Sequence, residues 1–276
     1  MSLIYINIGD TPDYLNTSFS QSTKYASSVQ LISGELSNNY LSRNENNKIF
    51  NQISFLNKYG LGNFWSVTLQ RFFVLEQYML DCNQENVFHI ENDVLIYENP
   101  EIFIDRFKNI YGDKILINPL TKGLSTAAYM FIPSLKSLKK VNDKLIEYLS
   151  LGEQKLIELT GEEMINEMVL LKLIERTTDF IDYLPAFPSD KVDYNFYYEV
   201  FGYYFDPASW GQFLDGTPNH PPGFVDKRHY IGQEIMKNGY KIDFIKGRPY
   251  IIDDKYKMKY KLANLHIHSK NLHKFV

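Results

Sequence analysis

The chain reads as an α/β fold, a mixed and mostly parallel sheet with helices on both faces. Two observations predict it. Short apolar runs of strand length alternate with amphipathic stretches of helical period. The first run, over 3–8, breaks abruptly at Gly9, Asp10 and Pro12, as a buried strand does where its carboxyl end opens into a loop.

Taken in order, the strand over 3–8 leads into a helix over 12–26 and a second short strand over 29–32, a βαβ opening. Residues 33–57 are rich in Asn, Ser and Glu without clear period, so they read as a long, partly helical surface excursion suited to a mobile lid. A helix over 65–82 carries Val67, Phe72, Leu75 and Met79 as an apolar stripe and feeds a strand over 87–90. Pro100 opens a helix to about Tyr111, strands follow over 114–117 and 126–132, and Pro133 opens a helix to about Leu149. A further helix covers 162–176. Beyond it, short strands mix with turn-rich loops such as 216–224. Neither an internal repeat nor a low-complexity linker divides the chain, which predicts one domain over 1–276.

Composition narrows the function. The net charge of -4 offers no clustered Lys and Arg to neutralise phosphates along a nucleic acid, so that class of partner is excluded. The 21 Tyr and 19 Phe suit the apolar faces of sugar rings as well as core packing. Cys82 is the one cysteine, lies in an apolar helical segment and is expected to be structural, without an intrachain disulfide. The amino terminus has no basic region ahead of its apolar run, and no apolar stretch approaches the ~20 residues a membrane span needs. A soluble, cytoplasmic protein without a transmembrane segment is expected. Dinucleotide-binding, P-loop, nucleophile-elbow and zincin motifs are all missing.

The chemistry gathers in four places. In VFHIENDVLIY, Glu91 and Asp93 stand two apart just after an apolar strand, where alternate side chains point the same way and two carboxylates can converge. Such a hard oxygen site suits Mg or Mn, which in turn binds a diphosphate. In LANLHIHSKNL, His266 and His268 alternate on a predicted strand, imidazole being a good ligand for Mn, and Lys270 is a compact charge for a phosphate oxygen. Gly9 and Asp10 follow the first strand, where the backbone can approach a nucleotide and a carboxylate can accept from ribose or base. In YYFDPASWGQFLDG, Asp206, Trp210 and Gln212 combine a carboxylate, an aromatic plate and an amide able to hold a sugar. Asp206 is the first candidate for a general base, with Glu162, Glu163 and Glu167 of GEEMINEM behind it.

FHIENDVLIY resembles the DxD region of GT-A glycosyltransferases, a Rossmann-like fold, with Glu91 in the first acidic position and Asp93 in the last. The helix before it, with Arg71 in FWSVTLQRFFVLEQYM, resembles the segment leading into that motif. HIHSK resembles the C-terminal His and Lys element of some of these enzymes, with a shorter spacing from His to Lys; either His266 or His268 completes the metal site, the strand end favouring His266. GLSTAAYMFI resembles the strand after the metal motif, whose small residues from Ser125 to Ala128 admit the donor sugar. The Asp206 segment resembles a region of glycosyltransferases carrying an HIEND type of motif. The resemblance implies Mn2+ or Mg2+, a nucleotide diphosphate sugar as donor and a carbohydrate acceptor. Glu91, Asp93, His266 and His268 would be ligands, and Gly9, Asp10, Arg71, Asn92 and Lys270 donor-binding residues. Trp210 and Gln212 would meet sugar, about 1–135 would form the nucleotide-sugar half, and about 136–276 the acceptor and site-closing half. Two readings compete: a metal-dependent sugar-nucleotide hydrolase or phosphoesterase, and a non-catalytic carbohydrate-binding module.

Overall fold

A computed structural model describes residues 1–58, 62–188 and 198–276. The central sheet contains β1 (Ser2–Asn7), β2 (Val29–Ser33), β3 (Val87–Ile90), β5 (Ile115–Pro119), β6 (Ser125–Ile132) and β7 (Ile181–Tyr183), in the order β2-β1-β3-β6-β5-β7. β1 runs parallel to β2 and β3, and β5 parallel to β7, while β6 is antiparallel to both of its neighbours. The sheet is therefore mixed and mostly parallel, as the sequence predicts.

Every residue of β1 is buried because both faces of the sheet are covered. Alternation sorts the strand between two cores. Ile4 and Ile6 meet α2 (Gly34–Arg43), α3 (Phe64–Cys82), α5 (Leu135–Ser150), α6 (Glu153–Thr160) and α7 (Glu167–Thr177), while Leu3 and Tyr5 meet α1 (Tyr14–Ser22) and α4 (Ile104–Tyr111). A third core joins α9 (Ser209–Asp215), α10 (Tyr230–Asn238) and the C-terminal strands, and α8 is the short turn Tyr198–Phe201. Those strands are the antiparallel meander β8 (Lys241–Ile245), β9 (Arg248–Asp253) and β10 (Met258–Lys261), and β11 (Asn264–His266), which pairs with β4 (Val94–Ile96).

Several expectations are corrected. Segment 33–57 is partly helical, as expected, but it is anchored and not lid-like: Tyr40, Leu41, Phe50, Phe55 and Leu56 are buried in the first core while the residues between them are largely exposed. Its apolar residues are spread over one α-helix and two 3-10 turns, Glu45–Asn51 and Phe55–Asn57, so no single period shows. The helix placed over 12–26 is the shorter α1. The one placed over 162–176 starts at Glu167, because the Asn166 side chain accepts from the Val169 N–H at 3.1 Å and caps it there. Likewise Ser134, not Pro133, caps α5. Cys82 lies exposed at the end of α3 rather than in the core. Among the described residues, no helix is long and apolar enough to cross a membrane.

Candidate functional site

The site forms where β3 ends. Glu91, Asn92 and Asp93 turn the chain into β4, with the Val94 N–H donating back to the Glu91 carbonyl at 3.1 Å. β11 then pairs antiparallel with β4, His266 opposite Val94, and the Ile267 N–H donates to the Asp93 carbonyl at 2.9 Å. That pairing brings His266 against a carboxylate far away in sequence: Nε2 lies 3.0 Å from Asp93 Oδ2. The His268 ring stands edge-on, 4.7 Å from that of His266, and Gln212 Nε2 lies 3.0 Å from His268 Nδ1. One ligand atom from each of Asp93, His266 and His268 lies within 4.8 Å of the others. These atoms fit a divalent cation, and His266 Nδ1, buried without a partner among the described residues, fits a site that a bound group completes.

Electrostatics prepare the same atoms. Burial pushes the Asp93 carboxyl up, but His266 and Lys270 outweigh it and hold it well below the usual carboxylate range. Burial pulls His266 down, and Asp93 and Glu91 more than offset this. Burial, then His266, drops His268 to about 4, so it stands as the neutral imidazole that ligation requires. Lys270, in the left-handed region at φ 67°, donates to Asp93 and lies 5.3 Å from the centre of the Tyr14 ring.

Glu91 is held differently. Buried Arg71 reaches Glu91 Oε1 at 2.7 Å and Glu167 Oε1 at 2.5 Å, one cation between two carboxylates. A single guanidinium cannot neutralise both in a low-dielectric setting. Burial opposes the charge of each; Arg71 keeps Glu91 low, while Glu167 is pushed up to about 7. Because this folded-state value exceeds the ordinary 4.5, the carboxyl's contribution to stability is complete below about pH 4.5 and is lost as pH rises through about 7. Glu167→Gln, which mimics the protonated form, should remove that slope, at most roughly 3 kcal/mol across the window. Urea unfolding at both ends of the range checks it, and an unchanged slope would place the proton elsewhere.

Two compartments meet at these residues. The smaller, about 360 Å³, lies at the carboxyl end of β1 and is lined by Asp10, Tyr14, Arg71, Asn92, Asp93 and Lys270 among others. The larger, about 1280 Å³, lies toward α7 and α9 and includes Gln212. Phe64, Thr68, Glu91, His266 and His268 line both. Gly9, at φ +93°, bends the loop after β1, where Asn7 Nδ2 donates to the carbonyls of Gly9 at 3.1 Å and Asp10 at 3.2 Å. Asn92 Nδ2 donates to Asn7 Oδ1 at 2.9 Å, tying that loop to the acidic turn.

Two assignments are corrected here. Asp206 cannot act as a base on an acceptor: it is 0% exposed, and its carboxylate accepts from the N–H groups of Ala208, Trp210, Gly211 and His266, each at 2.9 Å. It is a structural latch between α9 and β11. Trp210 is also 0% exposed, with its indole N–H donating to the Ala186 carbonyl at 2.9 Å, so it packs the third core instead of stacking on a sugar. Of the small residues 125–128, Ser125, Ala127 and Ala128 are buried in the sheet, and Thr126 lines the larger compartment. Sequence reasoning missed Phe64, which is 49% exposed at the junction of the two compartments and packs edge-on against Trp65. Its signal was available in the adjacent pair of large aromatics at a helix start. With Asp206 withdrawn, Glu162, Glu163 and His229 are among the titratable groups lining the larger compartment.

No family model matches the chain, and no curated protein matches it. Among solved structures it is similar to the apo form of mouse xyloside xylosyltransferase 1, with 10% identity and a TM-score of 0.48 over 73% of this chain and 92% of that one. It is similar to the glycosyltransferase GlyE of Streptococcus pneumoniae TIGR4, with 17% identity and a TM-score of 0.37 over 73% of this chain and 48% of that one. For the galactosyltransferase LgtC, in complex with donor and acceptor sugar analogs, the figures are 12% and 0.38 over 67% and 73%. Likeness at this level leaves the function to the side chains of the cleft.

Proposed function

We propose that the protein transfers a sugar from a nucleotide diphosphate sugar to a hydroxyl of a glycan or similar acceptor, with a divalent metal held by Asp93, His266 and His268. The observation that carries this reading is the meeting of two compartments at one carboxylate and two imidazoles. A bound metal would supply charge neutralisation for the departing diphosphate. Two nitrogens and one oxygen favour Mn over Mg, because imidazole suits transition metals.

The smaller compartment takes the nucleotide, with Asp10 and the Asn7–Asn92 clip at the carboxyl end of β1, and Lys270 faces the diphosphate. Glu91 positions Arg71 beside it instead of completing the ligand set. The larger compartment takes the acceptor, Phe64 offering an aromatic face between the two sugars and Gln212 an amide. In this reading the donor half spans about 1–135, and 136–276 supplies the acceptor side and the C-terminal histidines.

Calorimetric titration of a panel of nucleotide diphosphates and nucleotide sugars, with Mn and then with chelator, tests it. One nucleotide should bind with Mn and at least about tenfold more weakly without it. A folded protein that binds no donor overturns the proposal. Release of free sugar at a rate that acceptor does not raise would assign a hydrolase instead.

A further inference from the structure

The C-terminal meander carries charge opposite to that of the whole molecule. Residues 241–261 hold seven Lys or Arg against three Asp, in a chain of net charge -4. The excess is concentrated in Lys255, Lys257, Lys259 and Lys261, which alternate with Tyr256, Met258 and Tyr260 through the β9–β10 turn and along β10. Among the described residues β10 is the outer strand of the meander: it pairs with β9 along its length, and its other side is met at its end, where the Tyr204 N–H donates to the Lys261 carbonyl at 2.8 Å. Of the three acids in the meander, Asp253 is buried, and Asp254 is paired with Lys241 at 2.5 Å and also feels the charge of Lys257; seven cations against three acids leave the meander a net positive excess.

Lysines on an edge strand deter pairing with other strands, which accounts for charge alone. It does not account for the apolar groups between them. Tyr256 is 56% exposed and Met258 48%, while Tyr260, two residues on, turns inward to Tyr198 and Tyr204. Exposed tyrosine and methionine framed by lysines suit one kind of surface: a headgroup region that attracts the cations and accepts amphipathic rings at its boundary. Lys255 lies 4.6 Å from the centre of the Tyr256 ring, so charge and aromatic project from the same turn.

We propose that the β9–β10 hairpin seats the protein on an anionic lipid bilayer. Sedimentation of the full chain with vesicles of phosphatidylglycerol and phosphatidylcholine in equal parts, against phosphatidylcholine alone, should show binding to the anionic vesicles only. Each lysine near such a surface contributes about fivefold, so Lys255→Ala, Lys257→Ala and Lys259→Ala together should weaken binding about a hundredfold. The exposed positions of these lysines predict an unfolding midpoint equal to that of the parent. Tyr256→Ser with Met258→Ser should abolish the fraction of binding that survives high salt. Failure of the parent to sediment with anionic vesicles overturns the proposal. So does binding that the aromatic pair does not affect and that heparin displaces completely, which would assign a soluble polyanion as the partner.

Discussion

Asp93→Ala should abolish metal-dependent nucleotide binding and lower transfer by at least about a thousandfold, while leaving the fold intact. In the proposed centre Asp93 supplies the one oxygen donor, and two imidazoles alone hold a divalent cation weakly at neutral pH. Asp93 also sets the charge of its neighbours. Without its carboxylate, His266 loses the partner that does most to raise its pKa, and burial then favours the neutral imidazole. Calorimetry with Mn and nucleotide, beside an unfolding curve, separates the two effects. Retention of metal-dependent binding in a folded Asp93→Ala protein would remove this centre from the reaction.

The largest stability effect is expected at Asp206. Truncation to alanine leaves four N–H groups, on Ala208, Trp210, Gly211 and His266, without their acceptor in a fully buried setting. Each orphaned buried group costs about 1–3 kcal/mol, so the sum approaches the ~5–15 kcal/mol by which whole domains are stable. Asp206→Ala should thus be insoluble or unfold far below the parent. Asp206→Asn keeps one carbonyl oxygen, which serves the Oδ1 pair or the Oδ2 pair but not both, and should fall between. Denaturant midpoints of the three proteins rank them. A loss under about 1 kcal/mol in the alanine variant would mean the latch contributes little.

Much of this was legible in the sequence where local pattern carried it. The run over 3–8 ending at Gly9 located β1 and its open end, and the acids after an apolar strand located the turn at 91–93. The sequence predicts His266 and His268 alternating on one strand; β11 ends at His266 and His268 stands in the turn beyond it, yet the two rings lie 4.7 Å apart. What the sequence hid lay in long-range pairing. Nothing in LHIH names Val94 as the partner of His266, yet the β4–β11 ladder is what brings that imidazole to Asp93. Composition misled at Asp206 and Trp210, since a DPASWG stretch has the residue types of a sugar site and of a buried latch alike. Arg71 was placed with the donor, but its engagement of Glu91 and Glu167 depends on how α3 and α7 pack.

The latch has a further consequence. The first turn of helix α9 is anchored by the Asp206 carboxylate, which also fastens the His266 backbone, and Gln212 on the same helix meets His268. The two elements lie so close that a Cβ on Gly211 would come within 2.0 Å of the His266 carbonyl oxygen. A wall of the larger compartment and both imidazoles are thereby one mechanical unit. Linkage then requires reciprocity: if filling the larger compartment shifts α9 and tightens cation affinity by some factor, cation binding tightens the other occupant by the same factor. Cooperative binding of the cation and the occupant of the larger compartment, with no order imposed on the two, would emerge from this helix without any separate gate.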